Sequence, residues 1–172
     1  MEELKTLIES LLQRYSGSSS DEFRGTRRLI VPRGSMFAVL SELKSSHGFD
    51  LLVDVTCVDY LDYRGANRDQ RPPARFGLVY LLCHTTTGQR LTIRVFLDED
   101  DLSVPSVVSL WEGANWLERE VYDMFGITFQ GHGDLRRILL PPEFTAFPLR
   151  KDYPLQGRGE RHNFPVIARG DA

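Results

Sequence analysis

The chain has 172 residues, 41% of them hydrophobic, with 21 basic against 24 acidic side chains and a net charge of −3. That length fits one domain with a modest extension and a real apolar core, and the slight negative charge argues against a nucleic-acid binder, which is usually strongly basic. Two cysteines, Cys57 and Cys83, are too few for a disulfide framework, and no window approaches the ~18 apolar residues needed to cross a bilayer.

In chain order, Leu4, Leu7, Ile8, Leu11, Leu12 and Tyr15 recur at helical spacing, so residues 2–15 are expected to form an amphipathic helix. Its early acids and broken apolar pattern do not read as a secretory signal. SGSSSDEFRG (16–25) reads as a loop, and TRRLIVPR (26–33) as a short strand limited by Pro32. A helix follows, with Ser35 as a candidate cap and Gly48 as a stop. In LLVDVTCVDY, Leu51, Val53, Val55 and Cys57 alternate with Leu52, Asp54, Thr56 and Val58, which is strand periodicity. Cys57 and Cys83 both sit in apolar runs and read as buried thiols in a reducing cytoplasm.

The polar run 64–75 is a loop. FGLVYLLCH and LTIRVFL then form a hairpin around TTTGQR, where Gly88 supplies a permissive backbone. In its second strand Leu91, Ile93, Val95 and Leu97 face one way, and Thr92, Arg94, Phe96 and Asp98 face a half-exposed side. Two helices are expected in 98–126, the first capped by Ser103 with Pro105 in its opening turn, the second from Ala114 or Asn115 to Gly126. The expected fold over residues 1–126 is α+β, a mostly antiparallel sheet with packed helices.

Residues 127–172 show no convincing period and carry prolines at 141, 142, 148, 154 and 165. A structureless run of this length is unusual in a compact domain. It is also too rich in large apolar groups (Phe129, Leu135, Ile138, Leu139, Leu140, Phe144, Phe147, Leu149, Tyr153, Phe164, Val166 and Ile167) for a solvated tail. Part of the cover for these groups can come from the domain itself. The rest suggests an extended C-terminal arm that lies in a partner's groove, where proline lowers the entropy lost on ordering.

WLEREVYDMFG (116–126) sets Glu118, Glu120 and Asp123 within two helical turns, with Arg119 among them. Glu120 and Asp123 are three apart, and Arg119 and Asp123 are four apart and can pair. Such acids can perform acid–base chemistry or bind a divalent ion with His132, but acidic helix pairs are more often solvated or bridged to arginine. Arg136-Arg137 and Arg150-Lys151 read as solvated charges, or as clamps on a partner's carboxylates or on the helix acids themselves. No zinc spacing, nucleotide-binding loop, nucleophile elbow or iron–sulfur ligand set is present.

EREVYDMFGITFQGHGDLRRILLP resembles the signature of the 30-kDa (C) subunit family of proton-translocating NADH:quinone oxidoreductase, respiratory complex I. FPLRKDYP (147–154) and VTCVDYL (55–61) extend the likeness, with Gly133 standing where relatives often have proline. The resemblance implies an accessory subunit of the hydrophilic arm that docks on the D (49-kDa-type) subunit. It implies no cofactor in this chain, while NADH, FMN, iron–sulfur clusters and a quinone bind elsewhere in the complex. It further implies a peripheral position on the cytoplasmic side of a cell inner membrane, with no insertion into the bilayer. Glu118, Arg119, Glu120, Asp123, His132, Arg136, Arg150, Lys151, Asp152 and Tyr153 become structural or interface residues. The alternatives are the equivalent subunit of a membrane-bound hydrogenase-type or related dehydrogenase complex, or a stand-alone metal-dependent hydrolase using Glu120, Asp123 and His132.

Overall fold

The computed structural model describes residues 2–63 and 72–159. Most of the polar loop 64–75, together with His162, Phe164, Val166 and Ile167 of the expected arm, lies outside the described residues. Helix α1 (Glu2–Arg14) buries Leu4, Ile8 and Leu11, as their spacing requires. Tyr15 donates its hydroxyl to Glu42 at 2.8 Å, and Arg14 reaches the same carboxylate, tying α1 to α2 (Met36–His47). Gly48 ends α2 in the left-handed conformation, φ 70°. Ser35 does not cap it: no side-chain hydrogen bond forms, and Arg33–Ser35 makes a short 3₁₀ turn instead.

Among the described residues seven strands form two sheets: β1 (Ser19–Phe23), β2 (Thr26–Ile30), β3 (Leu51–Asp59), β4 (Phe76–His84) and β5 (Gln89–Leu97) in order β1-β2-β5-β4-β3, and β6 (Ser103–Pro105) parallel to β7 (Thr128–Gln130). In the larger sheet only the β2–β5 pair is parallel. The fold is therefore α+β with a mixed, mostly antiparallel sheet.

Helix α3 (Ala114–Phe125) and helices α1 and α2 share one core with the inward side chains of the sheet. Those side chains are Phe76, Leu78, Tyr80 and Leu82 from β4 and Leu91, Ile93, Val95 and Leu97 from β5, all no more than 1% exposed. Each is worth roughly 1.5–3 kcal/mol of burial. Outward residues such as Ile30, Leu81 and Phe96 lie outside that core. All three helices therefore pack on one face of the sheet.

Four local expectations are corrected. Residues 19–23 are strand, because β2 offers an edge to pair with and Arg24 and Gly25 (φ 51° and 78°) make a tight hairpin turn. In β3 the register shifts between Leu52 and Asp54, so Leu52, Val55, Cys57 and Asp59 point inward while Leu51 and Val53 are exposed. The helix expected from Ser103 is absent. Residues 103–105 pair with 128–130, and the following turn is held by the Glu118 side chain, a tertiary contact that no local pattern announces. For the same reason 128–130 is strand, and Ile127 and Phe129 belong to the core.

Ile93→Ala should lower the unfolding free energy by about 2–5 kcal/mol. Val53→Thr, placed outward by the bulge, should change it by no more than about 0.5 kcal/mol. Equilibrium urea unfolding checks both, and a large loss for Val53→Thr would place the bulge elsewhere.

Candidate functional site

Helix α3 carries three of its four charged residues inward. Glu118, Arg119 and Asp123 are all buried, whereas Glu120 is exposed and stands apart from them. Arg119 and Asp123 are one turn apart, but they do not pair with each other. They grip the same passing segment through opposite chemistry. Arg119 donates from Nε to the Arg136 carbonyl (3.0 Å) and from Nη2 to the Arg137 carbonyl (3.3 Å). Its guanidinium also stands 5.0 Å from the Trp116 ring centroid. Asp123 Oδ2 accepts the successive backbone N–H groups of Ile138, Leu139 and Leu140 at 3.0, 2.8 and 3.0 Å. Arg137 Nη1 donates to Asp123 Oδ1 at 2.6 Å, and its Nη2 reaches the Ala146 carbonyl at 3.0 Å.

Downstream, the segment closes the C-terminal end of α3. Leu149 N–H donates to the Met124 carbonyl (3.2 Å) and Arg150 Nε to the Phe125 carbonyl (2.6 Å), satisfying acceptors that a helix end leaves open. The guanidiniums of Arg137 and Arg150 stack on Phe147 at 5.3 and 4.6 Å. Gly126 is required here. Its φ is 76°, and a Cβ would sit 2.6 Å from the Phe147 ring.

A second buried acid, Asp59, holds the far end. Its Oδ2 accepts Lys151 N–H (2.8 Å) and Arg75 Nη2 (2.9 Å), and its Oδ1 accepts Leu61 N–H (2.9 Å). Arg75 also pairs with Asp152 at 3.1 Å and with Glu99. Residues 136–153 thus form a strap fastened to the body by Asp123 and Asp59.

Electrostatics distinguishes these acids. Burial works to raise Asp123, but the amides of 138–140 and Arg137 prevail and hold its carboxyl below the usual range. Asp59 is likewise held low against burial by Arg75 and the Lys151 and Leu61 amides. Glu118 goes the other way: burial pushes it up, only partly offset by Val107 N–H and Ser106 Oγ, each at 2.7 Å, and by nearby His132. Burial and the neighbouring Asp59 push the Cys57 thiol up to about 12.

The remaining candidates scatter. His132 accepts Asp134 N–H at Nδ1 (3.0 Å), and its Nε2 lies 3.2 Å from the Asn115 carbonyl. Arg136 is exposed and pairs only with Asp134 among the described residues. The side chains of Lys151 and Asp152 are exposed, and the Tyr153 ring lies 6.0 Å from Phe144. Glu120, Asp123 and His132 have no shared focus. Among the described residues no group of three or more His, Cys, Asp or Glu side chains is arranged to hold a metal. Sequence reasoning did not single out Asp59 and Arg75. Asp59 stood inside the VTCVDYL likeness, but nothing local revealed its partner 92 positions away.

Asp123→Asn should cost about 3–5 kcal/mol, because it leaves the largely enclosed Arg137 guanidinium without its counter-charge. Glu118→Gln should cost less than about 1 kcal/mol at pH 7. The signs with pH differ. Stabilisation from Asp123 and Asp59 is fully present above about pH 3.9, the unfolded value, and is lost as pH falls through their lower folded values. For Glu118, raised in the folded state, stability declines as pH rises from about 4.3 through the folded value, and Glu118→Gln abolishes that slope. Denaturant unfolding as a function of pH on the three proteins measures both.

The chain matches the family model described as the respiratory-chain NADH dehydrogenase 30-kDa subunit over residues 29–159. The C subunit of the NADH-quinone oxidoreductase of Geobacter metallireducens is 42% identical over 161 residues, covering 92% of this chain and 94% of that one. The corresponding protein of Laribacter hongkongensis is 38% identical over 170 residues, covering 98% and 85%. The solved trypsin-resistant fragment (1–134) of Nqo5 superposes with a TM-score of 0.68 at 35% identity, covering 77% of this chain and 98% of that one. With the family model spanning most of its length and relatives this similar along nearly all of it, the chain belongs to the 30-kDa subunit family of the respiratory-chain NADH dehydrogenase and is a subunit of an NADH-quinone oxidoreductase complex.

Proposed function

We propose that the chain is a cofactor-free scaffold of the hydrophilic arm and docks on the D (49-kDa-type) subunit through its C-terminal strap. Electrons pass from NADH to a quinone through FMN and iron–sulfur clusters in neighbouring chains. The chain sits at the cytoplasmic face of the inner membrane, held there by its partners. Among the described residues no helix is long and apolar enough to cross a membrane.

The observation that carries the docking reading is the way the strap presents its side chains. Its backbone is fixed by Asp123, Arg119 and Asp59, yet Leu139 and Leu149 are 60% and 52% exposed. Leucines on a prefixed backbone lose little entropy when a partner covers them, so their burial converts efficiently into affinity. Trp116, 62% exposed on α3, adds a large aromatic of the kind that anchors interfaces. Arg136, exposed and near Leu139 in the strap, supplies a fork for a partner carboxylate.

The stand-alone hydrolase reading has no such support: of the acids it needs, Asp123 is committed to the strap amides and to Arg137, and Glu120 is exposed and stands apart from it.

Leu139→Asp combined with Leu149→Asp should weaken association with the co-expressed 49-kDa-type subunit by about tenfold or more. Arg136→Ala should weaken it less, and all three changes should leave the thermal midpoint of the isolated chain within a few degrees. Quantitative co-purification gives the answer. Undiminished association of the double variant would rule out strap docking, and normal assembly with a selective loss of turnover would point to catalysis instead.

A further inference from the structure

The sheet has two faces, and the three helices, the strap anchors and the apolar core all belong to one of them. The other face follows from the register. One row across the strands reads Asp21, Arg28, Thr92, Leu81, Asp54, and the next reads Ser19, Ile30, Arg94, Val79, Thr56. Beyond them stand Phe96, Gly77 and Val58 on one side and Arg90 and Cys83 on the other. Among the described residues only the Tyr60–Tyr63 turn folds over one end of this face, with Tyr60 lying on Gly77 beside Phe96.

Arg94 stands at the centre of this face. It is flanked in its own row by Ile30 and Val79 and along its own strand by Thr92 and Phe96. The side chain is partly exposed, its Nε is buried with no hydrogen-bond acceptor, and it makes no ion pair among the described residues. The neighbouring Arg28 differs: Asp21 already holds it, Nη2 to Oδ2 at 2.6 Å. Arg90, on the same side of β5, is exposed and likewise has no carboxylate partner among the described residues. An unmatched guanidinium inside an apolar collar is the arrangement of an interface anchor, because the collar excludes water from the pair once it forms. Arginine is suited to the task through its planar fork and weak hydration.

We propose that this sheet face, which no helix covers among the described residues, is a second docking surface, separate from the strap. Its occupant is another subunit of the complex, presenting an Asp or Glu to Arg94 from among apolar side chains that cover the partly exposed Ile30, Leu81 and Phe96. The chain is a subunit of a larger complex, so its neighbours there are other chains; a second copy, which would offer Asp54 of the same face to Arg94, is an outcome of the test.

The test uses the intact complex purified from membranes. A photo-crosslinking amino acid is placed at Thr56 or at Leu81 on the face, and at Ser45 on α2 as a control. The expected result is a cross-link from both face positions to one other subunit, through a peptide holding an acid among apolar residues, and none to that peptide from Ser45. Arg94→Glu should lower retention of that subunit by about tenfold or more, and reversing the charge of the cross-linked acid should restore it. Circular dichroism and the thermal midpoint establish that Arg94→Glu is folded; if it is not, the cross-links in the otherwise unchanged chain decide. Cross-links only to a second copy, only within the same chain, or to nothing would overturn the proposal. So would full retention of the subunit by folded Arg94→Glu.

Discussion

A carboxylate taken out of water must be met by enough donors to replace its hydration, and Asp123 meets three successive backbone amides and one guanidinium. The rest of the C-terminal structure depends on that single group. It fixes 138–140 in a shape that points their N–H groups at one oxygen, and it draws Arg137 inward, where the guanidinium caps Ala146 and stacks on Phe144 and Phe147. Arg119 adds the complementary grip on carbonyls. A proline-bearing segment with no ladder of its own becomes ordered because a helix supplies both the donor and the acceptor that a neighbouring strand would have supplied.

Asp59 repeats the solution at the other end of the strap, with Arg75 as counter-ion and Lys151 N–H as the strap's contribution. Between the two anchors the strap completes the end of α3 and packs against Gly126, where any side chain would collide. Glu118 shows the contrasting case. It has hydrogen bonds but no guanidinium, so burial dominates and its carboxyl resists ionisation. It orders the 106–108 turn, which lets β6 reach β7. Glu118 and Asp123, two of the acids that the sequence offers as candidate catalytic groups, are therefore committed, like Asp59, to holding backbone in place.

Among the described residues this division leaves one sheet face covered by helices and the other without a helix. The helices and strap enclose a continuous core. The opposite sheet face keeps Ile30, Leu81 and Phe96 near the surface around an arginine that lacks an acceptor at Nε. Membership of a larger assembly gives such a face a physical sense, since a small domain that works among neighbours can leave part of its covering to them.

Much of the fold was legible locally. Helices α1, α2 and α3, the β4–β5 hairpin and the stops at Gly48 and Gly126 follow from periodicity and from backbone freedom, which depend on near neighbours alone. Family membership was equally legible, because EREVYDMFGITFQGHGDLRRILLP carries it residue by residue. The site was only half legible. Arg136-Arg137 could be read as a clamp on the helix acids, but which arginine turns inward, and that Arg119 bypasses Asp123, were decided by where the strap passes. The 103–105 strand, the bulge that reverses β3 at Val53, and the Asp59–Arg75–Lys151 anchor all rest on contacts between distant parts of the chain. Pattern and composition fix what each residue can do nearby; the path of the folded backbone decided which buried charge would meet which partner, because only there does the loss of water make one pairing far better than the rest.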